Sequence, residues 1–304
     1  MKPQKAKPLQ PRPLSPKATG KNAAAAATAF SLSKGEGEGL YHRSILETGI
    51  ANGAGGVRNL ADTFADTSLW IFDLDNTLYP AECNLFAQID ARMSAFIQDL
   101  LGVDPVEARR IQKQLYYEHG TTLAGLMAEH GVKPEAFMDY VHDIDLSPIQ
   151  PAPELADAIV RLQGRKFIFT NGSARHAERI AEKLGVLDKF DGIFDIATGG
   201  YVPKPKPQAF RRFMDFCSGG NCGSAMFEDL PHNLEAAHAL GIVTVLVRSD
   251  YLDHPSQHAL KAAGRLPDYI HFETDDLAAF LRQVTASQAK EKAAPTAPPE
   301  HPSS

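Results

Sequence analysis

Hydrophobic and polar positions follow different rules along this chain, and each rule predicts a different kind of element. Leu69-Trp70-Ile71-Phe72 is apolar without alternation, which predicts a short strand covered on both faces. Further on, Leu85, Ile89, Met93, Phe96, Ile97 and Leu100 recur at helical spacing, and Gly102 stops the run. Asp104-Pro105-Val106-Glu107 then supplies an N-cap, a proline at the first position and a capping glutamate, so a second helix runs to about His119. Gly120-Thr121-Thr122 breaks it and caps a short helix over 123–130, Gly131 ends that one, and Pro134 opens another toward His142. Residues 81–150 therefore read as an all-helical insert.

Strands and helices alternate after the insert. Residues 166–170, 192–196, 224–227 and 242–247 read as strands, with helices over 174–184, 207–216 and 232–240. That alternation predicts the α/β class: a doubly wound, Rossmann-like parallel sheet with right-handed crossovers and a small helical cap inserted after the first strand. The core takes residues 59–80 and 151–285, and the cap 81–150. Residues 1–58 and 286–304 are rich in Lys, Pro, Ala, Gly and Ser. Such segments bury too little surface to offset their ordering entropy, so both read as disordered tails. Ala23 to Ala27 follow lysines as in an export signal, but no leucine-rich stretch comes after them.

Composition narrows the partners. The chain is 43% hydrophobic and 22% charged, as in ordinary soluble proteins, and its formal charge of -6 argues against a nucleic-acid polymer as partner. No apolar run reaches the roughly 20 residues that span a bilayer, so no membrane partner is expected. Cys83, Cys217 and Cys222 are too few for a disulfide framework, which points to a reducing, cytoplasmic setting. Cys217 and Cys222 have no second pair with which to complete a zinc site.

The chemistry sits where predicted strands end. Asp73-Leu74-Asp75-Asn76-Thr77 puts two carboxylates two residues apart at the end of the first strand, a spacing that aims both to one side; a plain Asp-rich turn is the bland alternative. Thr170-Asn171-Gly172-Ser173 offers a hydroxyl and free amides for a phosphate, or simply a helix N-cap. Lys204 and Lys206 lie in a stiff proline segment, either as a surface loop or as a rigidly held ammonium that balances developing charge. Glu228-Asp229 ends another apolar strand, where acids are costly unless solvated or bound to a metal such as magnesium.

The order of these clusters, D-x-D-x-T, T-N, K-P and E-D, resembles the haloacid dehalogenase superfamily of phosphohydrolases from about residue 66 to about 250. The resemblance implies Asp73 as a nucleophile that forms an aspartyl-phosphate, and Asp75 as the acid for the leaving oxygen and then the base for water. It implies that Thr170 and Asn171 hold the phosphoryl group, that Lys204 pairs with it (Lys206 being the alternative), and that Mg2+ is held by Asp73, the Asp75 carbonyl and Asp229 with Glu228 nearby. Within the insert, Tyr116-Tyr117-Glu118-His119-Gly120-Thr121-Thr122-Leu123-Ala124-Gly125-Leu126 is similar to a stretch of pyrimidine 5′-nucleotidases, departing from it at His119. On that resemblance the substrate is a small phosphate monoester, a nucleoside monophosphate, met by Tyr79, Tyr116, Tyr117 and Thr121. Aromatic rings suit a nucleobase, although tyrosines at a helix end also serve as cap core. A sugar-phosphate or phosphoglycolate phosphatase of the same fold is the alternative, and a non-catalytic binding module the remaining one.

Overall fold

In a computed structural model, residues 59–217, 223–249, 260 and 264–293 are described. The expected tail over 1–58, Cys222 and residues 294–304 lie outside them. Six strands form one parallel sheet: β1 (Leu69–Phe72), β2 (Arg165–Phe169), β3 (Gly192–Phe194), β4 (Ser224–Glu228), β5 (Val243–Val247) and β6 (Phe272–Thr274). Their order is β3-β2-β1-β4-β5-β6. The direction of winding reverses at β1, and the crevice outside the carboxyl ends at such a reversal is where ligands bind in open α/β sheets.

All four β1 residues are buried, as an unbroken apolar run requires of a central strand. Their side chains alternate between two cores. Trp70 and Phe72 join Ile168, Phe227 and Val245 on one face, while Leu69 and Ile71 join Phe167, Phe169 and Met226 on the other. Phe72 stacks on Phe227 with ring centroids 4.8 Å apart. The strand begins between two backbones that approach closely: Ser68 N donates to Gly223 O (2.7 Å), and Arg165 N donates to Ser68 O (2.8 Å). Gly164 and Gly223 both have positive φ, and a Cβ on either would collide with main chain beside β1, so only glycine fits there.

Helix α1 (Leu60–Phe64) precedes β1. The insert consists of α2 (Leu85–Leu101), α3 (Pro105–His119), α4 (Thr122–His130) and α5 (Pro134–Val141). Its boundaries follow local capping: Asp104 accepts from Val106 N and Glu107 N, Thr121 Oγ1 accepts from Ala124 N, and Gly102, Gly120 and Gly131 close helices in the left-handed conformation. The core helices are α6 (Pro153–Arg161), α7 (Ala174–Leu184), α8 (Pro207–Phe216), α9 (Pro231–His238) and α10 (Leu277–Ala293).

The boundary expected at residue 285 falls inside α10. Leu277, Phe280, Leu281 and Val284 are buried on one stripe of that helix, and Gln288 Nε2 donates to Phe64 O at 2.7 Å. Ala, Gln, Lys and Glu beyond 285 are strong helix formers, so a packed start propagates through them. Among the described residues, no helix is long and apolar enough to cross a membrane.

Candidate active site

Three strand ends and one loop meet at the carboxyl edge of the sheet. Asp73 follows β1 directly, its N–H donating to Phe227 O at 2.9 Å, which holds it beside Glu228 at the end of β4. Lys204, 2% exposed, comes from the loop between β3 and α8. Its Nζ donates to Asp73 Oδ1 (2.7 Å), Glu228 Oε2 (2.7 Å) and Phe169 O (2.8 Å), so all three of its protons are engaged. Of the two lysines in the proline segment, Lys204 enters the buried site. Lys206 lies at the start of α8, where its Cε comes 3.8 Å from the place a Cβ would occupy on Gly120 in the insert.

Asn171 fixes the lysine loop. Its Nδ2 donates to Lys204 O (3.1 Å), and its Oδ1 accepts from Lys204 N (2.8 Å). The residue expected to meet a phosphoryl group thus has both ends of its amide turned to the Lys204 main chain. Thr170 is buried, and its Oγ1 accepts from Gly172 N at 2.8 Å.

With all three acids ionised, the charges here would not balance. Asp73, Glu228 and Asp229 are all buried, and each offers an oxygen within 4.8 Å of the others. Burial, then Glu228, raises Asp73 to about 8 against the pull of Lys204. Burial, Glu228 and Asp73 raise Asp229 well above the usual carboxylate range. Burial would raise Glu228 too, but Lys204 outweighs it and the group is lowered. Burial disfavours the Lys204 charge, yet Asp73 and Glu228 hold the ammonium protonated. Three buried carboxylates against one lysine, with oxygen donors alone, fit a hard divalent cation such as magnesium. Thr77 Oγ1 and Asn233 Oδ1, in the segments that carry these acids, are buried without a hydrogen-bond partner.

Asp75 takes different partners from Asp73. The strand ends at Phe72 and Asn76 is left-handed (φ 60°), so the two-residue alternation does not extend through the turn. Asp75 Oδ1 accepts from Tyr79 OH (2.7 Å) and pairs with His176 Nε2 (3.0 Å). Burial would raise this carboxyl, but His176 and the Tyr79 hydroxyl hold it down at about 2.

Residues 68–241 match the haloacid dehalogenase-like hydrolases. The chain belongs to that family. It is similar to phosphate metabolism protein 8 of Saccharomyces cerevisiae, with 28% identity over 205 residues, 62% of this chain and 63% of the yeast protein. The match thus spans less than two thirds of that relative's length. Among solved structures it is similar to a haloacid dehalogenase-type phosphatase from Thermococcus onnurineus (16% identity, TM-score 0.50, 73% of this chain and 99% of that one). It is also similar to an L-2-haloacid dehalogenase from Xanthobacter autotrophicus (16% identity, TM-score 0.45, 72% of this chain and 98% of that one).

Within this haloacid dehalogenase-like hydrolase, the residues expected to meet the rest of a substrate separate. Tyr79 is 1% exposed, and its hydroxyl donates to Asp75 Oδ1. Thr121 caps α4. Tyr116 and Tyr117 sit in the last turn of α3, 37% and 74% exposed, with their rings edge-to-face at 5.9 Å. His176 and His142 had no signal in the sequence. Each is one histidine in an ordinary helical stretch, and their partners come from other elements.

Proposed function

We propose that the chain is a magnesium-dependent phosphomonoester hydrolase, most specifically a pyrimidine 5′-nucleotidase. The observation that carries the phosphatase reading is the buried Asp73–Lys204–Glu228 contact with Asp229 beside it and Asp75 in the adjoining turn. Asp73 presents a carboxylate oxygen to phosphorus, and Lys204 offsets the charge that would otherwise repel a phosphate dianion. A phosphate dianion bound beside Asp75 offsets the pull of His176 and Tyr79 and raises that carboxyl, so that Asp75 gives a proton to the leaving oxygen and, after the aspartyl-phosphate forms, takes one from water. Asp73, the Asp75 carbonyl and Asp229, with Glu228 nearby, would hold magnesium, which supplies charge neutralisation at the phosphoryl oxygens. The Thr170 hydroxyl lines the phosphoryl site, and Asn171 serves it by fixing the Lys204 loop. The yeast relative's name, a phosphate metabolism protein, agrees with a phosphate ester as substrate.

The nucleotidase reading rests on the insert. Its α3–α4 turn lies beside Lys206 of the lysine loop, and Tyr116 and Tyr117 stand in the last turn of α3 next to it. Free thiols at Cys83 and Cys217 suit a reducing cytoplasm. The test is phosphate release from UMP, CMP and glycerol phosphate by wild type, Asp73→Asn, Tyr116→Ala and Tyr117→Ala. Asp73→Asn loses all three. One tyrosine variant loses about 10- to 100-fold in kcat/KM on nucleotides alone, as removal of a base-stacking ring would. Equal losses on every ester favour the sugar-phosphate alternative, and activity in Asp73→Asn overturns the covalent route.

A further inference from the structure

We propose that His176 is a positioning residue: it turns the Asp75 carboxylate so that one defined oxygen faces the leaving group. This inference rests on the phosphohydrolase reading above. Both donors that reach Asp75 converge on the same atom, Oδ1, Tyr79 from 2.7 Å and His176 from 3.0 Å. Two donors from different directions fix the rotation of the carboxylate, which a single hydrogen bond leaves loose. Oδ2 is left as the oxygen that takes up the proton once a phosphate dianion binds beside it. The side chain of Asp75 is 21% exposed while that of His176 is fully buried, so the contact to Oδ1 is made from the enclosed side.

The two donors contribute differently. Tyr79 lies four residues from Asp75 within one turn and moves with it. His176 is 101 residues away on α7, the helix that follows β2, and ties the turn to an independent element. Its ring has little freedom. It stacks on His142 with centroids 4.2 Å apart and planes 10° apart. The His142 ring bonds through Nδ1 to Ser173 Oγ (2.9 Å), and Arg179 donates to the His142 carbonyl (3.0 Å). His142 is the C-cap of α5, so the end of the insert clamps the ring that holds Asp75. His176 Nδ1 is buried with no hydrogen-bond partner. An orphaned nitrogen costs stability that an apolar ring would not, and the Nε2 contact with Asp75 is what the histidine returns.

The consequence is specific to one bond-breaking step. As an Asp73 oxygen bonds to phosphorus, the bond from phosphorus to the leaving oxygen breaks and that oxygen keeps the electron pair. The proton on Asp75 Oδ2 passes to it, leaving Asp75 as the carboxylate that the Tyr79 and His176 donors already face. An alkoxide needs that proton, and a p-nitrophenolate does not. A misaimed Asp75 therefore slows alkyl esters far more than p-nitrophenyl phosphate.

The experiment compares kcat/KM, which reports steps through phosphoryl transfer, for UMP and p-nitrophenyl phosphate in the full chain. His176→Phe keeps a ring for His142 to stack on and lacks the donor. His176→Gln restores an Nε2 donor. We expect His176→Phe to lower the UMP value at least about 10-fold more than the p-nitrophenyl value, and His176→Gln to recover most of that ratio. An unchanged ratio, whether both values fall together or neither falls, overturns the inference; His176→Ala makes the same comparison if the phenylalanine variant does not fold. Wild type that releases phosphate from neither ester overturns the hydrolase reading instead, and the inference with it.

Discussion

At the scale of single residues, the site depends on side chains whose charge state is set by enclosure. His142 is the clearest case. Burial first, and then the neighbouring His176 and Arg179, push its imidazole from the ordinary 6.5 down to about 3, against the opposing pull of Asp75. A base depressed in the fold stays neutral there, while the unfolded chain takes up its proton below 6.5, so the unfolded state binds more protons and stability falls with pH. The contribution is intact above pH 6.5 and is lost progressively toward pH 3, by at most about 1.4 kcal/mol per pH unit. His142→Phe keeps the stacked ring and removes the titrating group. Its unfolding free energy, measured in urea across that window, should decline less steeply than that of wild type. Parallel declines would assign the acid sensitivity to another group.

At the scale of elements, α10 decides where the folded core ends. Its buried stripe packs near α1 and α6, and the bond from Gln288 to the carbonyl of Phe64 closes α1 against it. A chain ending at 285 loses that bond and the last two turns of the helix. It should melt several degrees below a chain ending at 293, the size expected when about 1 kcal/mol is removed from a domain of this size. Thermal unfolding by circular dichroism measures the difference. Equal melting temperatures would mean that the helix beyond Val284 contributes nothing.

At the scale of the molecule, the sheet gathers Asp73, Glu228 and Asp229 at one edge, where the Lys204 ammonium bonds to Asp73 and Glu228. An arrangement short of positive charge should bind a divalent cation in the folded state alone and be stabilised by it. Magnesium is therefore expected to raise the melting temperature of wild type, by the equivalent of about 2.7 kcal/mol at a hundredfold excess over Kd. Chelator should reverse the rise, and Asp229→Asn should abolish it. A melting temperature indifferent to magnesium in wild type would remove the metal from the proposed chemistry. The insert joins the same assembly through Tyr201 OH to Glu135 (2.9 Å) and through the His142–His176 stack.

Interactions within about four residues were readable from the sequence alone. Asp104, Thr121 and Ser173 cap their helices, Gly102 and Gly131 end theirs, and β1 is buried on both faces because its apolar run has no alternation. The four polar clusters were readable too, since parallel strands must all deliver their carboxyl ends to one edge. Other features were settled only by packing between distant segments. Residues 286–293 have a composition that suits either a disordered tail or a helix, and burial of Leu281 and Val284 selected the helix. Asn171 faces the Lys204 main chain, Tyr79 is buried with its hydroxyl on Asp75, and His176 reaches Asp75 across 101 residues. Periodicity tells which face of an element is buried, but it carries no information about which side chain from another element will be there to meet it.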